Sequence, residues 1–160
     1  EGGIITPFIF HWPAKVDPGM ITGYPGHVID IMPTLLGAAG AEYPERFRGR
    51  DILPPEGRNL LPLIIDDETK MPLPELYWEH FGDQAVRLGD WKLVKGKEED
   101  GWNLFDLSAD PTELNDLSET FPEREADMEK KYQAWAGRVG ALPDSVYDDL
   151  VLVRNADWFE

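Results

Sequence analysis

The chain has 160 residues, 42% of them apolar, with six Trp, seven Phe and five Tyr, so one domain-sized core can form without covalent staples. It contains no cysteine, which excludes a disulfide framework, a thiolate zinc site and a cysteine nucleophile within these residues. A net charge of −16 and a pI near 4.4 argue against nucleic-acid binding and against anionic membrane surfaces, and no apolar run is long enough to span a bilayer.

The chain opens at Glu1, not at Met, and carries no signal peptide; the expectation is a fragment of a longer polypeptide. Ile4 to Trp12 is a nearly continuous apolar run closed by Pro13. Lack of alternation predicts a strand buried on both faces, as in a parallel sheet whose other strands are not encoded here. Asp17, Pro18 and Gly19, then Tyr24, Pro25 and Gly26, are turn chemistry.

His27 to Ala39 reads as a helix with Val28, Ile31, Met32, Leu35 and Leu36 on one face. Pro33 should kink it or split off its first turn, and Gly40 should cap it. Residues 41–74 hold six prolines and little expected regular structure beyond a short apolar helix or turn over Asn59 to Ile65.

Leu76 to Phe81, Ala85 to Leu88, Trp91 to Lys95 and Trp102 to Leu107 are short, aromatic and β-branched, with Gly-containing turns between them. That spacing predicts an antiparallel meander. Thr120 and Glu123 stand at capping-box spacing with Pro122 between them, and Met128, Tyr132, Trp135 and Val139 form one helical stripe stopped by Gly140 and Pro143. The tail from Asp144, with Val151 and Trp158, is either a final strand or an interface segment.

The chemistry-bearing residues are sparse. His11, His27 and His80 lack paired metal-ligand spacing. Asp66, Asp67 and Glu68 cluster in a Pro-rich loop, and Asp148 with Asp149 likewise reads as solvated. Asx turns account for Asp106 and Asp110, and capping accounts for Ser108, Ser118 and Ser145, none of which has nucleophile-elbow context. No complete active site is present. His80, at a strand end before a turn, is the one candidate for the wall of a substrate cleft; a structural, hydrogen-bonded histidine is the alternative. Glu79 and His80 should point to opposite faces, which argues against an acid/base pair.

Six stretches together resemble type I sulfatases. Glu1 to Pro13 resembles their E-G-G-I-x-x-P-x-I-x-x-W-P segment, and Asp30 to Gly40 their D-[IL]-x-P-T-L-L-x-x-A-G helix. Gly57 to Leu63 resembles G-x-S-L-L-P-L. Leu76 to His80, Ala85 to Val94 and Trp102 to Leu117 complete a collinear series over roughly residues 1–140.

The resemblance implies the alkaline-phosphatase-like superfamily and an α+β fold. Residues 1–40 would be the last strand and helix of an α/β catalytic domain, 41–74 a Pro-rich connection, and 75–160 a small subdomain with a four-stranded antiparallel sheet packed on a long C-terminal helix. It also implies hydrolysis of aryl or carbohydrate sulfate esters by formylglycine with a calcium ion. Those catalytic residues belong to the N-terminal catalytic domain, which would be this chain's partner, and no position here matches them. Export to the periplasm or medium is common among bacterial relatives. The rival readings are a phosphodiester or phosphonate hydrolase of the same superfamily and a stand-alone interaction module.

Overall fold

The computed structural model describes residues 3–66 and 70–141. The expectations for residues 67–69 and 142–160, including the tail segment, Ser145, Asp148 and Asp149, lie outside them. The chain divides into two compact units: Thr6–Pro74, and Glu75 onward together with the opening residues as far as Ile5.

In the Thr6–Pro74 unit, the apolar run to Trp12 forms no strand, contrary to the sequence reading, and Phe8 and Ile9 are exposed. The physical reason is that a strand buried on both faces exists only between neighbours. No described residue pairs with it.

A 3-10 turn over Val28–Asp30 then leads into helix α1, Ile31–Ala39. Pro33 lies in the first turn of α1, so the separate opening turn anticipated from its ring is what forms. Gly40 ends α1 at φ 62°, donating to the carbonyls of Gly37 and Leu36.

Strands β1, Arg46–Phe47, and β2, Arg50–Asp51, make a small antiparallel hairpin that the sequence reading did not contain. Helix α2 spans Leu61–Ile65 with Pro62 in its first positions.

The second unit holds the expected meander. Strands β3 (Glu75–His80), β4 (Asp83–Leu88), β5 (Trp91–Lys95) and β6 (Asn103–Asp106) pair antiparallel in sequence order. Two-residue connections join the first three. The turn at Phe81 (φ 53°) and Gly82 (φ 100°) has the positive φ values that match the twist of a tight hairpin. Cross-strand register puts Tyr77, Val86, Leu93 and Leu104 in one row on the face covered by helix α3, Pro122–Val139.

Val86, Leu93 and Leu104 are fully buried there against Met128 and Tyr132. Burying each of these side chains stabilises the fold by about 1.5–3 kcal/mol. Trp135 stacks on Tyr77 at 5.2 Å, while Val139 is 42% exposed, so the stripe ends one turn early.

The predicted capping box does not form. Phe121, not Thr120, is the N-cap, and no side chain caps the helix. The Thr120 and Phe121 N–H groups are instead taken by the Leu117 carbonyl, which shifts the helix start by one residue and breaks the spacing to Glu123.

Candidate functional site

His80 is the last residue of β3, an edge strand, and lies opposite Asp83 in the β3–β4 ladder. Strand alternation sets His80 and Trp78 on the sheet face away from α3, and Glu79 on the α3 side. Glu79 Oε1 accepts a hydrogen bond from the Gly82 N–H at 3.0 Å, bracing the turn. The His80 ring is exposed and meets the edge of Phe81 at 4.7 Å between centroids, with planes at 84°. The hairpin end therefore presents an imidazole beside an aromatic ring that is itself half in solvent. An imidazole can donate a hydrogen bond to an anionic ligand.

The same sheet face carries a cation that the sequence reading did not single out. Lys92 stands in the row Leu76, Arg87, Lys92, Phe105 and is only 3% exposed. Its ammonium lies 2.6 Å from Glu113 Oε1. Glu113 sits at φ 58° in the loop after β6, a conformation that a side-chain-bearing residue seldom adopts. No signal in the local sequence marks this pair, because its members are 21 positions apart and neither sits in a charge cluster.

The other polar candidates hold the backbone. His27 caps the turn before α1: its Nδ1 accepts from the Ile29 N–H at 3.4 Å. Asp106 accepts from the Ser108 N–H at 3.0 Å and hydroxyl at 2.6 Å, as an Asx turn. Asp110 accepts the N–H groups of Leu114 and Asn115, each at 2.8 Å, and the Asn115 backbone bond leads in holding its carboxyl below the usual carboxylate range. Burial pushes the Asp116 carboxyl up, but N–H bonds from Ser118 and Leu104 outweigh it and leave the group lowered. Ser118 donates its hydroxyl to Asp116 at 2.7 Å. His11 is exposed in irregular chain, and Asp66 is exposed after α2. Among the described residues no group of three or more His, Cys, Asp or Glu is placed to hold a metal ion.

Two of the stretches that resemble sulfatases are locked to each other. Asp30, 2% exposed, accepts the His27 N–H at 2.9 Å and the Arg58 N–H at 2.7 Å. Thr34 donates its hydroxyl to the Asp30 carbonyl and accepts the Leu60 N–H at 2.9 Å. Gly57 passes so close to Ile29 that a Cβ there would fall on the Ile29 carbonyl. Asp, Thr and Gly at these places are thus backbone fasteners.

Comparison with known proteins gives the family. Residues 1–135 match the family model described as N-sulphoglucosamine sulphohydrolase, C-terminal. An uncharacterized sulfatase of Schizosaccharomyces pombe is 31% identical over 98% of this chain and 30% of its own length. Arylsulfatase K of Xenopus laevis is 28% identical over 84% of the chain and 26% of its own length. The solved structure of Ps i-CgsB in complex with k-i-k-neocarrahexaose superposes with a TM-score of 0.59 at 27% identity, over 79% of this chain and 27% of that one. The chain thus spans about 30% of the length of the curated relatives it matches. By the match over residues 1–135, it belongs to the sulfatase C-terminal family typified by N-sulphoglucosamine sulphohydrolase.

Proposed function

We propose that this chain is the C-terminal portion of a hydrolase of sulfate esters, aryl or carbohydrate, and that the reactive groups lie in the remaining part of the protein. The observation that carries the reading is the family match over residues 1–135 by a chain spanning about 30% of its sulfatase relatives. The bound neocarrahexaose in Ps i-CgsB supports a carbohydrate ester over a simple aryl one.

The calcium ion and formylglycine expected of such enzymes do not fit the described residues. Asp30, Asp110 and Asp116 spend their oxygens on backbone N–H groups and on the hydroxyls of Thr112 and Ser118, and the Ser108 hydroxyl is held in an Asx turn.

The chain's own contribution is to complete the fold and one wall of the cleft. Val28 in the 3-10 turn and Met32 and Leu35 on α1, with Phe8 and Ile9 before them, leave large apolar areas exposed, which suits packing against the N-terminal catalytic domain of the same protein. His80 is the group offered to substrate: at an exposed strand end beside an aromatic ring, it can hydrogen-bond a sulfate oxygen or a sugar hydroxyl.

The test is sulfate release from an aryl sulfate and from a sulfated oligosaccharide. The full-length protein should release sulfate, and residues 1–160 alone should release none with or without calcium. Turnover by the pure 160-residue chain would overturn the division of labour. Hydrolysis of a phosphodiester but no sulfate ester by the full-length protein would overturn the ester class.

A further inference from the structure

The β1–β2 hairpin stands out against the charge of the chain. Fifteen Lys and Arg face 31 Asp and Glu, yet three arginines, Arg46, Arg48 and Arg50, fall within the six residues Arg46 to Asp51, all exposed. Arg46 is the brace: its Nε lies 2.9 Å from Asp51 Oδ1 and its Nη2 donates to the Gly49 carbonyl at 3.0 Å.

Arg48 and Arg50 do something else. Among the described residues no carboxylate pairs with either. Register puts Phe47 opposite Arg50, on one face of the hairpin, and the Arg48 guanidinium lies over the Phe47 ring at 5.2 Å from its centroid. Phe47 keeps 58% of its surface in solvent.

The fold itself does not ask for arginine at position 48. This residue takes the first place of a two-residue turn at φ 49°, before Gly49 at φ 80°. Glycine or asparagine is favoured there, and a bulkier residue costs about 1–2 kcal/mol. A strained, exposed arginine with no carboxylate partner among the described residues thus stands beside a second one and an open aromatic ring, and such strain is a ground for asking what the residue does.

We infer that the Phe47, Arg48 and Arg50 tip is a binding site for a sulfated sugar chain. The aromatic ring would take the apolar face of a pyranose, and the two planar guanidinium groups would pair with sulfate oxygens, for which their forked donors are suited. The choice of a sulfated sugar over another polyanion rests on the hydrolase reading above.

The test uses the full-length protein and dextran sulfate as probe, with uncharged dextran and a single-stranded DNA of matched charge as comparison arms, at low salt. The wild type should bind dextran sulfate and not dextran. The double variant Arg48→Gly, Arg50→Gln should bind about tenfold more weakly, the loss of about two exposed charge-assisted contacts. Arg48→Gly alone separates this from a structural role, because it relieves the turn: it should raise the thermal midpoint while weakening binding. Unchanged affinity in the double variant would overturn the inference, as would tighter binding of the DNA than of dextran sulfate. Sulfate release is measured in parallel. Sulfate release without hairpin-dependent binding removes the inference and leaves the hydrolase reading standing. Hairpin-dependent binding of dextran sulfate without sulfate release supports the site and removes that reading.

Discussion

The Arg58 N–H donates to Asp30 Oδ1 at 2.7 Å, across 28 positions of sequence, and the Arg58 guanidinium approaches the other carboxylate oxygen to 4.0 Å. A carboxylate that is 2% exposed therefore joins the start of α1 to the loop before α2. Removing it strands two half-buried N–H donors and takes the nearby anion from the Arg58 charge. Asp30→Ala should cost about 2–4 kcal/mol in denaturant unfolding of the full-length protein. Asp30→Asn should cost less, since one oxygen can still accept. An unaltered midpoint in Asp30→Ala would show that this junction does not hold the unit together.

Gly57 gives an independent check on the same junction. Gly57→Ala drives a methyl group into the Ile29 carbonyl and the Asp30 N–H, which are backbone and cannot swing aside. The expected loss is about 2 kcal/mol or more. Gly101→Ala, where nothing lies within 4 Å, is the control and should stay near neutral. Equal midpoints for the two variants would contradict the close approach.

The buried pair of Lys92 and Glu113 should behave as a unit. Lys92→Met removes the ammonium 2.6 Å from a carboxylate whose side chain is only 14% exposed, and should cost about 3 kcal/mol. Glu113→Gln in the Lys92→Met background should recover part of that loss, because no buried charge remains. A double-mutant cycle reads the coupling directly, and strictly additive effects would mean the ions do not interact.

Stability should respond to pH at both ends through Glu75, Lys131 and Tyr77. A hydrogen bond from Lys131 at 2.8 Å leads, with one from Tyr77 at 2.9 Å, in holding the Glu75 carboxyl below its ordinary value. A depressed carboxyl stabilises the folded state above its unfolded pKa of about 4.3, and that contribution fades as pH falls through the folded value. Both side chains of the ion pair are at least 40% exposed, so less than about 1 kcal/mol is at stake. Lys131→Met should therefore be slightly less stable than wild type at neutral pH, with the difference shrinking as the pH is lowered through the acid range.

At the alkaline end, burial first and the Glu75 carboxylate second push the Tyr77 hydroxyl up to about 12. The unfolded chain loses that proton near pH 10 and the folded one does not, so stability should decline from about pH 10 upward. Tyr77→Phe should flatten the decline, and an identical alkaline limb would refute the assignment.

His80→Ala in the full-length protein should change turnover of sulfate esters without lowering the thermal midpoint, because the ring is exposed and outside the core. A fall in midpoint with unchanged kinetics would return His80 to a structural role.

The meander was legible because its information is local. The strands that carry Tyr77, Val86 and Leu93 are short, aromatic and β-branched, and Gly82 and Gly89 sit where the turns need them. Its helix was legible for the same reason through Met128 and Tyr132, and Pro122 marks its start, but its cap was not legible. The Leu117 carbonyl captures Thr120 and Phe121, a contact that sequence spacing does not encode. The β1–β2 hairpin escaped because only two residues pair on each side, and Arg48 stands where Asn or Gly usually announces such a turn. The opening apolar run was misread as a strand because composition reports that a segment is to be buried, not against what. His80 could be placed at its strand end from pattern alone, whereas the Lys92–Glu113 pair needed the tertiary register to be seen.

The separation at Pro74 has a consequence for how the molecule is made. From Glu75 to Val139, strands meet their immediate successors and α3 returns onto the same sheet, so sequence separations are short and assembly should be quick. The stretch around α1 has no such shortcut: its greasy side meets few of its own neighbours and stays exposed. During synthesis or refolding, the hazard of wrong association therefore concentrates between Ile4 and Leu36, and chaperone engagement would be directed there, not at the aromatic-rich half that follows.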